Sequence, residues 1–203
     1  MISTNKIQRC AWPANDEQMI DYHDREWGIP LHDDRKLFEF IILDAFQAGL
    51  SWRTILHKRE NFRKAFAHFD PEKVSRFTDK EVEKLKNNPG IIRNKRKIAA
   101  TISNAKCFLQ VQKEYGTFDK YIWKFVAYNT IVTNRGATEP PLTQSPESEA
   151  MSKDLKKRGF KFAGPTICYA FMQAAGMIND HNTSCFRQKE INNLLKERKD
   201  DST

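Results

Sequence analysis

Residues 33–69 read DDRKLFEFIILDAFQAGLSWRTILHKRENFRKAFAHF, and this stretch decides the fold class. Asp33 or Asp34 can cap a helix, because a short carboxylate accepts from amides that the first turn leaves without partners. The run that follows keeps its apolar residues on one broad face and stops at Gly49. Ser51 caps a second run, in which Trp52, Ile55, Leu56, Phe62, Phe66 and Phe69 recur at near-helical spacing. Asp70-Pro71 opens a short helix with proline at its first position.

The same signals continue outward. Residues 78–86 predict a helix closed by Asn-Asn-Pro-Gly, a long pattern covers about 95–115, and 118–128 adds another. Pro146 starts a helix ending at Gly159, and Pro165 starts one ending at Gly176. Residues 134–146, rich in Pro, Thr and Ser, read as a loop, and alternation is confined to Thr130–Thr133. The expected fold is all-α: one compact unit over residues 1–186 and a charged helical extension over 187–203.

Composition narrows the class. The chain has 203 residues, 34 Lys+Arg against 26 Asp+Glu, and a net charge of +8. Its 39% hydrophobic content is too high for a disordered chain. No apolar run approaches the roughly 20 residues of a membrane span, and the first eight residues contain no signal-like block. Four cysteines without such a block point to a reducing cytoplasm rather than to disulfides. No obligatory protein partner is evident.

The charge is concentrated. Lys84, Lys86, Arg93, Lys95, Arg96, Lys97, Lys106 and Lys113 fall in one window without a single acid. Such a window attracts polyanions, nucleic acid first. A second cluster, Lys153, Lys156, Lys157, Arg158 and Lys161, is as well explained by a solvated helix face.

Three further features bear on chemistry. Cys10 and His23 near the start, with His181 and Cys185 near the end, are the donor types of a closed tetrahedral zinc site. Spacing alone favours the plainer reading, two buried thiols and two hydrogen-bonded histidines. Asp44 stands among apolar neighbours, where a carboxylate is costly unless paired, hydrogen-bonded or facing a pocket. The turn Gly49-Leu50-Ser51 would present one leucine beside a helix N-terminus, a shape suited to a phosphate or to a gap in a strand. Trp12, Tyr22 and Trp27 add large rings that serve either as core or as a stacking platform.

Six ordered motifs make a resemblance specific. They are Cys10-Ala-Trp12, Tyr22-His-Asp-Arg-Glu-Trp27-Gly, Gln47-Ala-Gly-Leu-Ser-Trp52, Gly90-Ile-Ile-Arg-Asn-Lys-Arg-Lys97-Ile, Leu155-Lys-Lys-Arg-Gly-Phe-Lys-Phe162 and Asn179-Asp-His181. Over about residues 9–186 the chain resembles the 3-methyladenine DNA glycosylase I family of the helix-hairpin-helix superfamily.

The resemblance implies one structural zinc on Cys10, His23, His181 and Cys185, and a base pocket walled by Trp12, Tyr22, Trp27 and Trp52. It places the pocket carboxylate at Asp44, where the family often has Glu, and an aromatic often stands where this chain has Met19. It also implies a hairpin at Gly90 and Ile91 followed by Arg93, Lys95, Arg96 and Lys97, gripping phosphates of double-stranded DNA that carries alkylated bases. Leu50 is expected to fill the gap left by a flipped nucleotide. The implied activity is hydrolysis of the N-glycosidic bond of 3-methyladenine, leaving an abasic site. The alternative is a zinc-stabilised helical protein that recognises damaged bases without catalysis.

Overall fold

Helix caps written into the sequence set most of the element boundaries. A computed structural model describes residues 7–200. Their helices are α1 (Glu17–Arg25), α2 (Asp34–Gln47), α3 (Trp52–Leu56), α4 (Arg59–Ala65), α5 (Pro71–Ser75), α6 (Asp79–Lys86), α7 (Lys95–Tyr115), α8 (Phe118–Trp123), α9 (Pro146–Lys157), α10 (Pro165–Ala174) and α11 (Phe186–Asp200). Asp16, Asp33, Ser51, Asp70, Asn94 and Thr117 each accept from an amide of the turn they cap.

Helix α2 is the axis of the molecule. Leu37 through Phe46 are all buried, so it is enclosed on every side rather than on one broad face. It packs against α3, α7, α8 and α10. Two acids are buried with it, and they are handled differently. Glu39 is met by Arg59, whose Nη1 also donates to Glu26 at 2.7 Å, and by Arg63. Arg59 lies with its guanidinium carbon 5.0 Å from the Phe40 ring centre. Removing Arg59 would leave Glu39 buried with a weaker partner, so Arg59→Ala is expected to cost about 3–5 kcal/mol in urea unfolding. Asp44, one turn and a half further on, has no such cation.

The run after Ser51 departs from the single helix that its spacing predicts. It is divided into α3, α4 and a short 3-10 turn, with Ala67, His68 and Phe69 in left-handed conformations. Pro71 disfavours helical geometry at Asp70, so a helix cannot run on into α5. The reversal keeps the Phe69 ring on Phe66, 6.2 Å away and 12° from parallel. The segment after α8 differs likewise: helix ends at Trp123, and left-handed Ala127 and Tyr128 turn the chain before residue 128 is passed.

A small correction to the all-α expectation follows. Ile131–Val132 (β1) pairs in parallel with Ile178–Asn179 (β2). Two residues are too few to be read from alternation, yet the pairing sets the loop after β1 against Asp180. The segment before α1 also meets the start of α11, since the Phe186 amide donates to the Gln8 carbonyl at 2.9 Å. In α11, Ile191 is buried against Gly28, whose φ of +82° favours glycine. No helix among the described residues is long and apolar enough to cross a membrane.

Candidate active site

Asp44, near the C-terminal end of α2, faces a cavity of about 350 Å³. Trp12, Tyr22, Trp27 and Trp52 line the same cavity. The rings form a connected wall: Trp12 and Trp27 are 5.2 Å apart at 71°, and Tyr22 and Trp52 are 5.1 Å apart at 45°. Into this apolar setting the chain places an acid that is 2% exposed, with Oδ2 buried and without a hydrogen-bond partner among the described residues. The indole Nε1 atoms of Trp12 and Trp52 are also buried without partners. Arg135 Nε, on another lining residue, is a fourth such atom; a native interior satisfies nearly all of them, so four around one cavity point to a ligand that completes them. Burial pushes the Asp44 carboxyl well above the usual carboxylate range. Burial first, then the Asp44 charge, pushes the Tyr22 hydroxyl up as well, leaving it a neutral hydrogen-bond donor.

Against this pocket lies a second cluster. Cys10, His23, His181 and Cys185 are all buried, and their donor atoms lie within 4.8 Å of one another. Cys185 Sγ is 3.5 Å from His23 Nε2 and 3.4 Å from His181 Nδ1, and Cys10 Sγ is 3.7 Å from His181 Nδ1. Tetrahedral bonds of about 2.3 Å to sulfur and about 2.05 Å to nitrogen put such atoms about 3.5 Å apart, so the spacing suits a metal ion. The outward nitrogens are already occupied. His23 Nδ1 is 2.7 Å from Asp24 Oδ1, which is itself paired with Arg9, and His181 Nε2 is 3.0 Å from the Trp27 carbonyl. If those nitrogens carry the ring protons, the inward ones present bare lone pairs. Hydrogen bonding from Cys10, then from the histidines, holds the Cys185 thiol low. The cluster also buttresses the pocket: His181 lies 4.5 Å from the Trp27 ring and His23 lies 5.3 Å from Trp12.

Beside the pocket mouth the chain turns sharply. Gly49 has φ +79°, and Leu50 beyond it is 40% exposed. The hairpin between α6 and α7 docks on α4: a Cβ on Gly90 would come within 3.1 Å of Asn61. Arg93, Lys95 and Arg96 are exposed there and join no ion pair among the described residues.

The family model for methyladenine glycosylase matches residues 12–188. The chain belongs to the methyladenine glycosylase family. It is 48% identical to DNA-3-methyladenine glycosylase 1 of Escherichia coli (strain K12) over 179 residues, 88% of this chain and 96% of that one. A crystal structure of 3-methyladenine DNA glycosylase I superposes with a TM-score of 0.85 at 49% identity, covering 88% of this chain and 98% of that one. A single-residue variant of such an enzyme in complex with 3-methyladenine superposes at 0.86 with 34% identity, covering 89% and 97%.

Seen as a methyladenine glycosylase, the chain brings Asp44 and the four aromatic residues together in one cavity and the four cysteine and histidine residues in another cluster. Three hairpin residues depart from their expected use. Lys97 is not a surface cation: it is 6% exposed, and its Nζ donates to the carbonyls of Phe46 and Ala48 at 2.7 and 2.6 Å. Burial lowers its pKa. It lies one helical turn from Asn94, on the face of α7 turned to the core. The amide of Gly90 donates to Asn88 Oδ1 at 2.8 Å, and that of Ile91 to the Asn88 carbonyl at 3.4 Å, so both amides have internal partners.

The pocket also holds residues that pattern reading missed. Arg135, Leu142, Gln173 and Asp180 complete its wall. Asp180 accepts from Thr133 Oγ1 and Gln173 Nε2, both at 2.7 Å, while Arg135 holds the Glu139 carbonyl at 3.0 Å and so shapes the loop. Asp180 adjoins His181 in a recognisable motif, and that adjacency was the available signal. Arg135 and Leu142 lie in a segment whose composition reports only a loop.

Proposed function

We propose that this chain is a DNA repair glycosylase that hydrolyses the N-glycosidic bond of 3-methyladenine in double-stranded DNA and leaves an abasic site. The observation that carries this reading is the partnerless Asp44 oxygen in a cavity walled by four aromatic residues.

Methylation at N3 gives adenine a positive charge, and the charge selects it. Aromatic faces attract a cation by about 0.5–2 kcal/mol per contact beyond what a neutral base gains. Asp44 accepts from the exocyclic amine, a charge-assisted bond in a buried site. The same bond favours the carboxylate over the neutral acid that burial alone favours. When the C1′–N9 bond breaks, its electron pair neutralises the base, water supplies the oxygen at C1′, and a proton is released to solvent. The base departs neutral, so no strong acid is required. No lysine lines the cavity among the described residues, in keeping with hydrolysis without strand cleavage.

Zinc on Cys10, His23, His181 and Cys185 would fill all four positions with protein donors and leave none for water. Its role is to fix the histidines that support Trp12 and Trp27. DNA lies along Arg93, Lys95 and Arg96, with Leu50 inserted where the flipped nucleotide leaves. Replacing Lys95 and Arg96 together by alanine is expected to weaken binding to all duplexes alike. The slope of log K against log salt should fall by about 1.8, for two lost phosphate contacts. An unchanged slope would move the DNA face elsewhere.

The test of the function is mass spectrometry of bases released from methylated duplex DNA. Free 3-methyladenine and intact strands bearing abasic sites are expected. Duplex binding with no free base would establish the non-catalytic alternative instead.

A further inference from the structure

The basic run after the hairpin contains one lysine that no phosphate can reach. Lys97 stands in the first turn of α7, where Asn94 Oδ1 caps its amide. Its ammonium enters the core and ends on the last carbonyls of α2, those of Phe46 and Ala48. Helix α2 has no basic residue in its own final turn, so Lys97 supplies the cation that the negative end of a helix favours. The two carbonyls bracket Gln47, which lines the pocket. They follow Asp44 by two and four residues and precede Leu50 by four and two. Gly49, the next residue, has φ +79° and, among the described residues, open space where a Cβ would stand, so the turn is held by its own backbone, the Leu50 amide donating to the Gln47 carbonyl at 2.6 Å, and not by packing on Gly49. From the other side, Lys58 Nζ donates to the Pro89 carbonyl of the hairpin at 3.2 Å.

We infer that Lys97 is a positioning residue: its buried ammonium ties the hairpin helix α7 to the end of α2, so that a hairpin seated on DNA holds the Leu50 turn at the gap of the flipped nucleotide. The inference rests on the glycosylase reading above. Lys97 touches neither base nor phosphate; it acts through the backbone on either side of Gln47. Without it the α2 terminus has two carbonyls released from their donor, and the turn is free to move relative to α7.

The test compares Lys97→Met, Leu50→Ala and the double variant in single-turnover release of 3-methyladenine, with wild type alongside. Lys97→Met is expected to slow release from duplex at least tenfold with an unchanged salt slope of binding. Its effect and that of Leu50→Ala should not add, because both act on one element. A lesion already unpaired, placed opposite an abasic site, should restore most of the Lys97→Met rate. Lys97→Arg, which keeps a donor cation, should recover part of the duplex rate. If Lys97→Met does not fold, Lys97→Gln, whose amide can reach one carbonyl, carries the same comparisons. Additive losses, no loss, or a salt slope reduced by about 0.9 would overturn the inference, the last by making Lys97 a phosphate contact. Failure of wild type to release the base would instead overturn the glycosylase reading.

Discussion

Asp44→Asn is expected to lower 3-methyladenine release about 10²–10³-fold, the usual effect of removing one preorganised electrostatic group, while duplex affinity stays near that of wild type. The substitution keeps the size of the side chain and removes only the capacity for negative charge. With the DNA face proposed above, ground-state binding would depend on the exposed cations around Lys95 and Arg96 more than on the cavity, so affinity and excision should separate. Single-turnover release measured beside binding would show this, and equal release by both proteins would remove Asp44 from the chemistry.

The same variant should be more stable than wild type. Burial raises the folded-state pKa of Asp44 above its ordinary value of 3.8, so the folded protein holds a proton that the unfolded chain has lost. Stability therefore falls as pH rises from the unfolded value through the folded one. Asparagine cannot ionise, and Asp44→Asn should flatten that decline and add roughly 0.5–2 kcal/mol near neutrality, as relief of a strained functional site commonly does. A variant that loses both activity and stability would place Asp44 in the scaffold instead.

Loss of the proposed metal is expected to have the largest effect on stability. A structural zinc contributes apparent binding energies of about 10–16 kcal/mol, as much as the roughly 5–15 kcal/mol that holds a whole domain folded. Here it would close a loop between Cys10 and Cys185, both fully enclosed. Cys185→Ala should reduce bound zinc from one per chain to none. A loss of even 5 kcal/mol corresponds to a fall in Tm of roughly 10–20 °C for a chain of this size. Because His23 and His181 lie against Trp12 and Trp27, base release should decline at temperatures where the protein is still folded. Lowering pH acts in the same direction, since protons compete with the metal for thiolate and imidazole. Metal analysis showing no zinc, with Tm indifferent to chelator, would leave four hydrogen-bonded side chains and no metal.

Much of this protein is legible from local pattern. The caps at Asp33, Ser51 and Asp70 mark helix starts because each needs only its own first turn. Asp44 stands out because a carboxylate among apolar neighbours is costly wherever the helix packs. Lys97 marks where such reading ends. It belongs to a run of three cations at 95–97, and charge alone treats them alike. Only the packing of α7 on α2 turns one of them inward to two carbonyls and leaves the other two for solvent. The pairing of Ile131 with Ile178 and the approach of Arg135 to Asp180 are equally invisible, being contacts between segments more than 40 residues apart. Sequence by itself determined most helix starts, several of their caps and the residue types able to bind a cationic base, because those depend on neighbours along the chain. Tertiary structure decided which of those residues meet in space, because burial and hydrogen-bond partners are set by what folds back from a distance.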